Sequence, residues 1–440
     1  MDAKEYIIKF LIGTEVSHSL LYYGDKKGIS FLSQETKLII IKSNFFDDNV
    51  FCTDRTLPNT PFPLLPNTDI PFLFGEPRLE KTTDGKIILY ADLVASAYFL
   101  LSRYEEIIKP ECRDQHGRFL AKDSIVFQQG YGMRPLVDEW GRYLRTLLRA
   151  SGVDIHEKNS EFRKIYLTHD VDMPFLFWRK EQVIKQFIKN LIHHGPRIPH
   201  PLKVYKTGEN DPYNTFAQII DYDSCVKESL GENVVESIYF IITAGDKNSK
   251  DYCNIDFPKF QKLLKNLLKN KSKIGLHVSY EAGADTSLIK REILRLPNFV
   301  DKEQLKSRHH FLRWQEPEMV DAMEYSGIRE DFTLGYADSI GFRVGTCHPY
   351  YFINPKTKRI TNILIHPLQI MECSLYDEQY QNLEFNRAYE NCISIINTVK
   401  QFGGELDLLF HNTSLIDNDY YNNYYGLKLY EAIINYLVNQ

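Results

Sequence analysis

From residue 164 to the C-terminus, short apolar runs alternate with segments whose apolar residues recur at helical spacing. This alternation predicts a parallel sheet with helices packed on it, and about seven strands suit a distorted β/α barrel. The predicted fold class is therefore α/β. The predicted strands are Lys164–Thr168, Ser237–Thr243, Lys273–Val278, Arg308–Leu312, Arg329–Phe332, Ile363–Met371 and Leu406–Phe410. The predicted helices are Asn214–Lys227, Pro258–Asn270, Asp285–Leu294, Pro317–Ser326, Asn386–Phe402 and Tyr425–Leu437.

The chain ahead of this alternation predicts a separate, smaller unit. A chain of 440 residues exceeds the size at which one hydrophobic core usually keeps growing, so two domains are expected. We predict an α+β domain at residues 1–155, a linker at Ser151–Asp154 and the barrel at residues 156–440. The elements predicted in the front part are the strands Tyr6–Leu11, Leu38–Ile41 and Lys86–Tyr90 and the helices Asp92–Ile108 and Leu136–Leu148.

Composition and charge exclude several classes of protein. With 43% hydrophobic and 25% charged residues, the chain is typical of a globular protein, and a net charge of −5 argues against nucleic-acid binding. Seven scattered cysteines without a C-x-x-C pair are typical of reduced thiols in a cytosolic protein. The apolar run at the N-terminus is too short and too acidic for a signal peptide, so a cytoplasmic location is expected.

Charged residues stand where the predicted strands end. Asp170 and Asp172 follow the first strand of the barrel in Thr-His-Asp-Val-Asp, where alternate residues point to the same side. His277 ends the third strand, His310 lies in the fourth and His411 follows the last. Reacting groups of a β/α barrel collect at these ends. Two carboxylates in one site need a cation to offset their repulsion, so the set predicts a divalent metal site. Each residue taken alone also fits a solvated strand end or a core histidine.

The order of these motifs resembles the polysaccharide deacetylase superfamily, whose members remove acetyl groups from sugars on a distorted β/α barrel with a divalent metal. The resemblance implies that Asp170 is the general base and that Arg343, in Gly-Phe-Arg-Val-Gly, is the cation paired with it. His411, in Leu-Leu-Phe-His-Asn, would be the general acid. Glu372, in Gln-Ile-Met-Glu, would orient His411 and raise its pKa.

The metal ligands implied by this resemblance are Asp172, His277 and His310. The family usually offers a second histidine four residues after the first, but here that position holds Glu281. A carboxylate can bind Zn²⁺, so Glu281 is the alternative third ligand. We expect His310, because an Asp-His-His set is the family's usual ligand chemistry. Zn²⁺ is the expected cofactor, and Co²⁺, Ni²⁺ and Fe²⁺ are alternatives.

The implied substrate is a carbohydrate that carries N- or O-linked acetyl groups, in surface or capsular polysaccharide metabolism. Tyr350 and Trp314 are predicted to face it, because the C–H faces of sugars stack on aromatic rings. Two alternatives stay open: a metal-dependent amidohydrolase that acts on a non-sugar amide, and a catalytically silent barrel that binds glycans. The front part is similar to the N-terminal domain found with such deacetylases in Bacteroidetes-type loci, through Ala97–Ile107, Asp114–Phe119 and Pro135–Trp140.

One further segment, Phe175–Gly195, combines an apolar stripe with basic residues. A basic amphipathic helix is typical of peripheral contact with an anionic membrane surface, here near a lipid-linked glycan. An ordinary helix packed on the barrel is the alternative explanation. The basic residues are Lys180, Lys185, Lys189, His193 and His194.

Overall fold

The structure is a computed structural model that describes residues 2–155, 160–192, 198, 200–245, 249, 251–315, 318–416 and 425–440. It contains two sheets, one of four strands in the front part and one of nine strands in the rest of the chain. His193, His194, Gly195 and Pro317, which the sequence analysis included in predicted helices, lie outside the described residues. All seven cysteines are free thiols.

The front part is built from a small mixed sheet and its helices. Its strands, in the spatial order β1-β2-β4-β3, are β1 (Leu21–Gly24), β2 (Leu38–Ile41), β3 (Gly75–Lys81) and β4 (Ile87–Ala91). Only β3 runs antiparallel to its neighbour. Its helices are α1 (Ala3–Ile12), α2 (Leu93–Leu101), α3 (Tyr104–Ile108), α4 (Ile125–Gln128) and α5 (Leu136–Ala150).

Two predictions for the front part are wrong in detail. The predicted strand Tyr6–Leu11 lies inside α1, because Asp2 caps the first turn and the buried Ile7 and Leu11 recur at helical spacing. The predicted helix Asp92–Ile108 is divided into α2 and α3. The break is at Arg103, which adopts left-handed backbone angles (φ 55°) that no helix continues through.

Each predicted strand of the barrel overlaps a strand of the second sheet, and the α/β class is confirmed. The predicted strand Arg308–Leu312 is extended only at Arg308 and His309, because residues 310–312 form a 3₁₀ turn. Its strands, in chain order, are β5 (Lys164–Val171), β6 (Val235–Ile242), β7 (Lys273–Val278), β8 (Lys306–His309), β9 (Glu330–Asp331), β10 (Tyr350–Ile353), β11 (Ile360–Ile365), β12 (Ile370–Met371) and β13 (Glu405–Leu409). Their spatial order is β10-β11-β9-β8-β7-β6-β5-β13-β12, and every pairing is parallel except β10 with β11.

The expectation of seven strands is not met. The predicted strand Ile363–Met371 is two strands, because Pro367 lacks the N–H that a strand interior needs. One of them, β12, is an edge strand, and the other, β11, lies next to the opposite edge of the sheet. Among the described residues, no pairing joins the edge strands β10 and β12, so a closed barrel is not confirmed. Within the same residues, no helix is both long and apolar enough to cross a bilayer.

Contacts across the sheet show how strongly it is rolled. Arg308 on β8 donates to Asp407 on β13 over 2.6 Å, although four strand spacings, about 19 Å in a flat sheet, separate the two strands. His366 likewise bridges Glu330 on β9 (3.1 Å) and Glu405 on β13 (2.7 Å). Alternate residues of the strands therefore point into a shared interior.

The second part of the chain also contains helices, several of which pack on this sheet. They are α6 (Lys180–Leu191), α7 (Pro201–Thr207), α8 (Phe216–Leu230), α9 (Pro258–Lys269), α10 (Ser287–Arg295), α11 (Glu318–Ser326), α12 (Cys373–Tyr376), α13 (Phe385–Phe402) and α14 (Gly426–Val438). One large apolar core continues from the front part into this second unit. The division near residue 155 stays a prediction, and the two parts are joined by hydrogen bonds such as that from Tyr350 Oη to the Leu101 carbonyl (2.8 Å).

Candidate active site

Three side chains converge at the carboxyl ends of neighbouring strands. Asp172 follows β5, His277 belongs to β7, and His310 begins a short 3₁₀ turn that follows β8. His277 Nε2 lies 3.2 Å from Asp172 Oδ1, and His310 Nε2 lies 3.5 Å from Asp172 Oδ2. One potential ligand atom from each residue lies within 4.8 Å of those from the other two. The structure therefore brings together the three side chains predicted as metal ligands, and among the described residues Glu281 does not belong to this group.

The two histidines are held by hydrogen bonds from the opposite side of their rings. His277 donates from Nδ1 to the backbone carbonyl of Arg308 (2.9 Å), and His310 donates from Nδ1 to Asp251 Oδ2 (2.8 Å). Asp251 is fixed in turn by the backbone N–H of Tyr280 (2.6 Å). With Nδ1 occupied as a donor, Nε2 of each ring faces Asp172 and is the nitrogen that a bound cation would take as its ligand. This is the arrangement that outer partners impose on metal-binding histidines.

The donor set fits a divalent cation. His277 Nε2 and Asp172 Oδ1 are buried and make no hydrogen bond, an expensive state for polar atoms unless another group satisfies them. Burial alone would lower the pKa of His310, but the carboxylates of Asp172 and Asp251 raise it to about 10. The negative field that holds a proton on His310 would equally attract a cation. Two imidazoles and a carboxylate suit Zn²⁺ and its first-row neighbours.

Asp170 lies beside this group, with Arg308 as its cationic partner. The Asp170 side chain is buried, with Oδ2 3.6 Å from His277 Nε2 and Oδ1 accepting a hydrogen bond from Arg308 Nη1 (3.2 Å). Arg308 also donates to Thr168 Oγ1 (2.7 Å) and to Asp407 Oδ2 (2.6 Å). A fully buried guanidinium with two carboxylate partners holds Asp170 in one position.

The predicted partner of the base, Arg343, lies elsewhere, and that assignment is corrected. Arg343 donates to Glu106 of the front part (2.9 Å) and to the Gly335 carbonyl (2.7 Å). Arg103, at the break between α2 and α3, pairs with the same glutamate. Burial opposes ionisation of Glu106, but the two arginines lower its pKa to about 2. Arg343 therefore joins the barrel to the front part, while Arg308 occupies the position beside Asp170.

His411 and Glu372 are paired as predicted. Glu372 Oε1 accepts hydrogen bonds from both Nδ1 (2.8 Å) and the backbone N–H (3.0 Å) of His411. His411 Nε2 then points toward the three candidate metal ligands and lies 3.9 Å from Asp172 Oδ2. Burial alone would lower the pKa of His411, but Glu372, followed by Asp172, raises it to about 10. The imidazolium is thus the favoured form at neutral pH, which is what a proton donor requires.

The two predicted substrate-facing rings do not reach the site. Tyr350 is 1% exposed, and its hydroxyl is bonded to the front part. Trp314 is 2% exposed and packs between His309 and Phe352. Both rings belong to the hydrophobic core, where their apolar area is buried.

Different rings surround the mouth of the site. Phe311 is 42% exposed, and its ring centroid lies 4.6 Å from that of the ligand His310. The ring centroid of His116, in the front part, lies 4.7 Å from that of Phe311. His116 Nδ1 lies 3.3 Å from the hydroxyl of Tyr280. The backbone of Phe311 is left-handed (φ 61°), which turns its ring outward beside His310. The front part therefore supplies a side chain to the rim.

Sequence reasoning missed four residues of this site. A signal for Arg308 was available in the sequence. In the predicted strand Arg308–Leu312, Arg308 alternates with His310, so the two side chains would point to the same side. Asp251 gave no signal, because it lies in an irregular segment after β6. The positions of Phe311 and His116 depend on a left-handed turn and on the packing of the front part, which local patterns do not reveal.

Comparisons with known proteins add little to this geometry. A family of unknown function (DUF7033) matches residues 2–152, in the front part. No curated protein matches the chain significantly. The chain is similar to a solved structure described as "putative polysaccharide deacetylase from Mycobacterium smegmatis", with 13% identity and a TM-score of 0.38, over 64% of this chain and 86% of that chain. A likeness at that level supports no conclusion about function.

The ligand set predicts how metal affinity responds to substitution. His310→Ala should lower Zn²⁺ affinity beyond the roughly 10- to 100-fold typical of outer-shell changes, and Asp251→Asn should fall within that range. Glu281→Gln should leave the affinity nearly unchanged. Competition titration against a chromophoric chelator measures all three. A large loss in Glu281→Gln together with normal affinity in His310→Ala would transfer the ligand role to Glu281.

The two arginines should behave differently. Arg343→Met should lower the free energy of unfolding by about 3 to 5 kcal/mol, because it leaves buried Glu106 without one of its two cations, but kcat of the folded protein should stay normal. Arg308→Lys keeps the buried charge and loses the fork that holds Asp170, so kcat should fall at least about tenfold. Denaturant unfolding and kcat at saturating metal measure the contrast. A normal kcat in Arg308→Lys would remove this arginine from the site.

Proposed function

We propose that this chain is a metal-dependent hydrolase that removes acetyl groups from a carbohydrate. The observation that carries the proposal is the arrangement around Asp172. A carboxylate paired with a buried arginine lies 3.6 Å from the candidate ligand His277, and a histidine paired with a buried glutamate lies 3.9 Å from Asp172. Hydrolysis of an acyl bond needs a proton acceptor for water and a proton donor for the leaving atom.

Asp170 is the proposed general base. Its Oδ1 accepts the hydrogen bond from Arg308, which leaves Oδ2, the oxygen on the side of His277, to take the proton of the attacking water. Asp407 shares the guanidinium of Arg308, so the positive charge does not face Asp170 alone. A divalent cation held by Asp172, His277 and His310 would polarise the acetyl carbonyl and acidify water when bound.

His411 is the proposed general acid. Its Nδ1–H is held by Glu372, so Nε2–H is the proton that points into the site. It would pass to the nitrogen or oxygen of the sugar as the carbon–heteroatom bond breaks. The field that raises the pKa of His411 to about 10 keeps this proton in place at neutral pH. His411 therefore starts in the charge state that a proton donor requires.

The substrate class is proposed from the rim. Phe311, Tyr280 and His116 place aromatic faces beside the candidate ligand His310, with the Phe311 and Tyr280 ring centroids 5.5 Å apart. Such faces suit the C–H surface of a pyranose ring. An acetyl group on that ring would then extend toward Asp172. The proposal leaves open the sugar and the choice between N- and O-acetyl.

Acetate release from a panel of small N- and O-acetylated sugars tests the proposal directly, with protein reconstituted with Zn²⁺, Co²⁺, Ni²⁺ or Fe²⁺. Asp170→Asn should abolish turnover with metal content near normal, because it removes the proton acceptor but no ligand. Release of formate or ammonia from non-sugar amides instead of acetate would assign an amidohydrolase. Metal binding without any turnover would assign a silent barrel.

The pH dependence of kcat tests the role of His411. A proton donor with a raised pKa acts below that pKa and fails as the pH rises through it. Glu372→Gln removes the largest influence that raises the pKa of His411, so the alkaline limb of the kcat profile should move to lower pH. The exposed Glu378→Gln, six residues away, is the matched control and should leave the limb in place. An unmoved limb in Glu372→Gln would separate this glutamate from the acid.

A further inference from the structure

Helix α6 exposes its apolar face. Ile184 is 60% exposed, Leu191 is 81% exposed, and the three others of the set are more than half exposed. Their spacing of three and four residues places them on one continuous side of the helix, which we name the apolar stripe. The apolar stripe consists of Ile184, Phe187, Ile188, Leu191 and Ile192.

The buried side of α6 is largely polar, with Gln186 and Asn190 beside Val183. Gln186 is 6% exposed and donates to Asn190 Oδ1 (2.8 Å), and Asn190 donates to the carbonyl of Ile198 (2.8 Å). An ordinary surface helix buries its apolar side and exposes its polar side. In α6 this order is reversed. Among the residues that the structure describes, the exposed stripe is thus an unpartnered surface rather than the remainder of a buried one.

A small core of its own holds this surface in place. Val183 of α6 packs with Val204 of α7, Phe177 and Ile198, apart from the main core of the chain. Leu202 of the neighbouring helix α7 is a further exposed apolar side chain (51%). The two helices therefore form a folded unit, and the stripe lies on the side that the small core does not use.

The same unit is strongly basic. Residues 179–192 and 200–209 carry six cationic and only two acidic side chains, a net charge of +4 with His neutral, on a chain whose net charge is −5. Every one of these eight side chains is exposed. The cationic side chains are Arg179, Lys180, Lys185, Lys189, Lys203 and Lys206, and the acidic ones are Glu181 and Glu209.

The unit also stands at the catalytic end of the rolled sheet. It follows directly after Asp172, at the carboxyl end of β5, and Met173 between them is 45% exposed. The backbone carbonyl of Met173 accepts a hydrogen bond from Asn412, the residue after His411 (3.0 Å). The apolar stripe and the candidate active site are therefore connected by a short, hydrogen-bonded segment.

We propose that the apolar stripe docks on the surface of an anionic lipid bilayer. Apolar side chains inserted at the headgroup boundary, with lysines beside them that attract anionic lipids, are the chemistry of a peripheral amphipathic helix. A second copy of this chain is a poorer occupant, because a two-fold contact would bring the same basic side chains together. Resting on the proposed function, the substrate would be an acetylated glycan carried on a lipid.

Vesicle co-sedimentation of the full chain tests the docking. Wild-type protein should bind vesicles of phosphatidylglycerol and phosphatidylcholine, and it should bind vesicles of phosphatidylcholine alone much less. Its binding to the anionic vesicles should weaken as the salt concentration rises. Phe187→Ser/Leu191→Ser should lower the partition coefficient at least roughly 30-fold, because two inserted apolar side chains are lost. Lys185→Glu/Lys189→Glu should lower it at least about tenfold on the anionic vesicles alone. Leu294→Ser/Tyr325→Ser, which removes apolar side chains 70% and 81% exposed on α10 and α11, is the matched control and should bind normally.

Three outcomes would overturn the docking. They are no binding of wild-type protein to anionic vesicles, equal binding by Phe187→Ser/Leu191→Ser, and a dimer in light scattering that this variant abolishes while no vesicle is bound. The same variant should still release acetate from a small water-soluble sugar at the wild-type rate. His277→Ala should bind vesicles normally while inactive. Vesicle binding without acetate release from any sugar would reject the proposed function and leave the docking intact.

Discussion

The buried guanidinium of Arg308 is the interaction on which the rest of the structure depends. It is completely buried, and it contacts three other strands or strand ends through Thr168, Asp407 and the Phe332 carbonyl (2.9 Å). Removing such a charge from water is expensive unless carboxylates and hydrogen bonds surround it. Those partners can contact the guanidinium only if the sheet is rolled. The buried charge of Arg308 is therefore stabilised only in the rolled sheet.

The same guanidinium prepares the mouth of the roll. It fixes one oxygen of the Asp170 carboxylate. The backbone carbonyl of the same residue, Arg308, accepts the hydrogen bond that orients His277. Strand β8 ends at His309, which is buried against Trp314, and the 3₁₀ turn that follows brings His310 to Asp172. Burial among apolar groups lowers the pKa of His309 to about 3, which keeps that ring neutral. Adjacent histidines thus differ in charge because they face different surroundings.

The parts of the molecule that follow from periodicity could be predicted from the sequence. The strands that carry Asp170, His277 and His411 were placed to within a few residues, because buried parallel strands are continuous apolar runs. The rule that reacting groups lie at strand ends then brought the right side chains together. Glu372 was found by the order of motifs, and the structure places it against His411.

The parts that depend on packing between distant segments could not be predicted. The order of motifs predicts Arg343 as the partner of Asp170, but Arg308 is the arginine that contacts Asp170. A sequence pattern does not specify which arginine reaches that carboxylate. The sequence predicts that Tyr350 and Trp314 face the substrate, although both rings are buried in the hydrophobic core. The rim ring of Phe311 depends on a left-handed residue that nothing in Arg-His-His-Phe-Leu requires. The polar face of α6 was missed because composition alone does not tell which side of a helix is buried.

Two ionisable groups near Asp172 have buried partners of opposite kinds. Asp170 faces the cation of Arg308, and His411 faces the anion of Glu372, and in both pairs the partner is nearly or completely buried. The site can therefore hold a proton acceptor and a proton donor as two separate groups. A cation held at Asp172 would make His411 a stronger acid, and the pairing of His411 with Glu372 opposes that effect. The polarity of the site is thus built into the sheet that carries it.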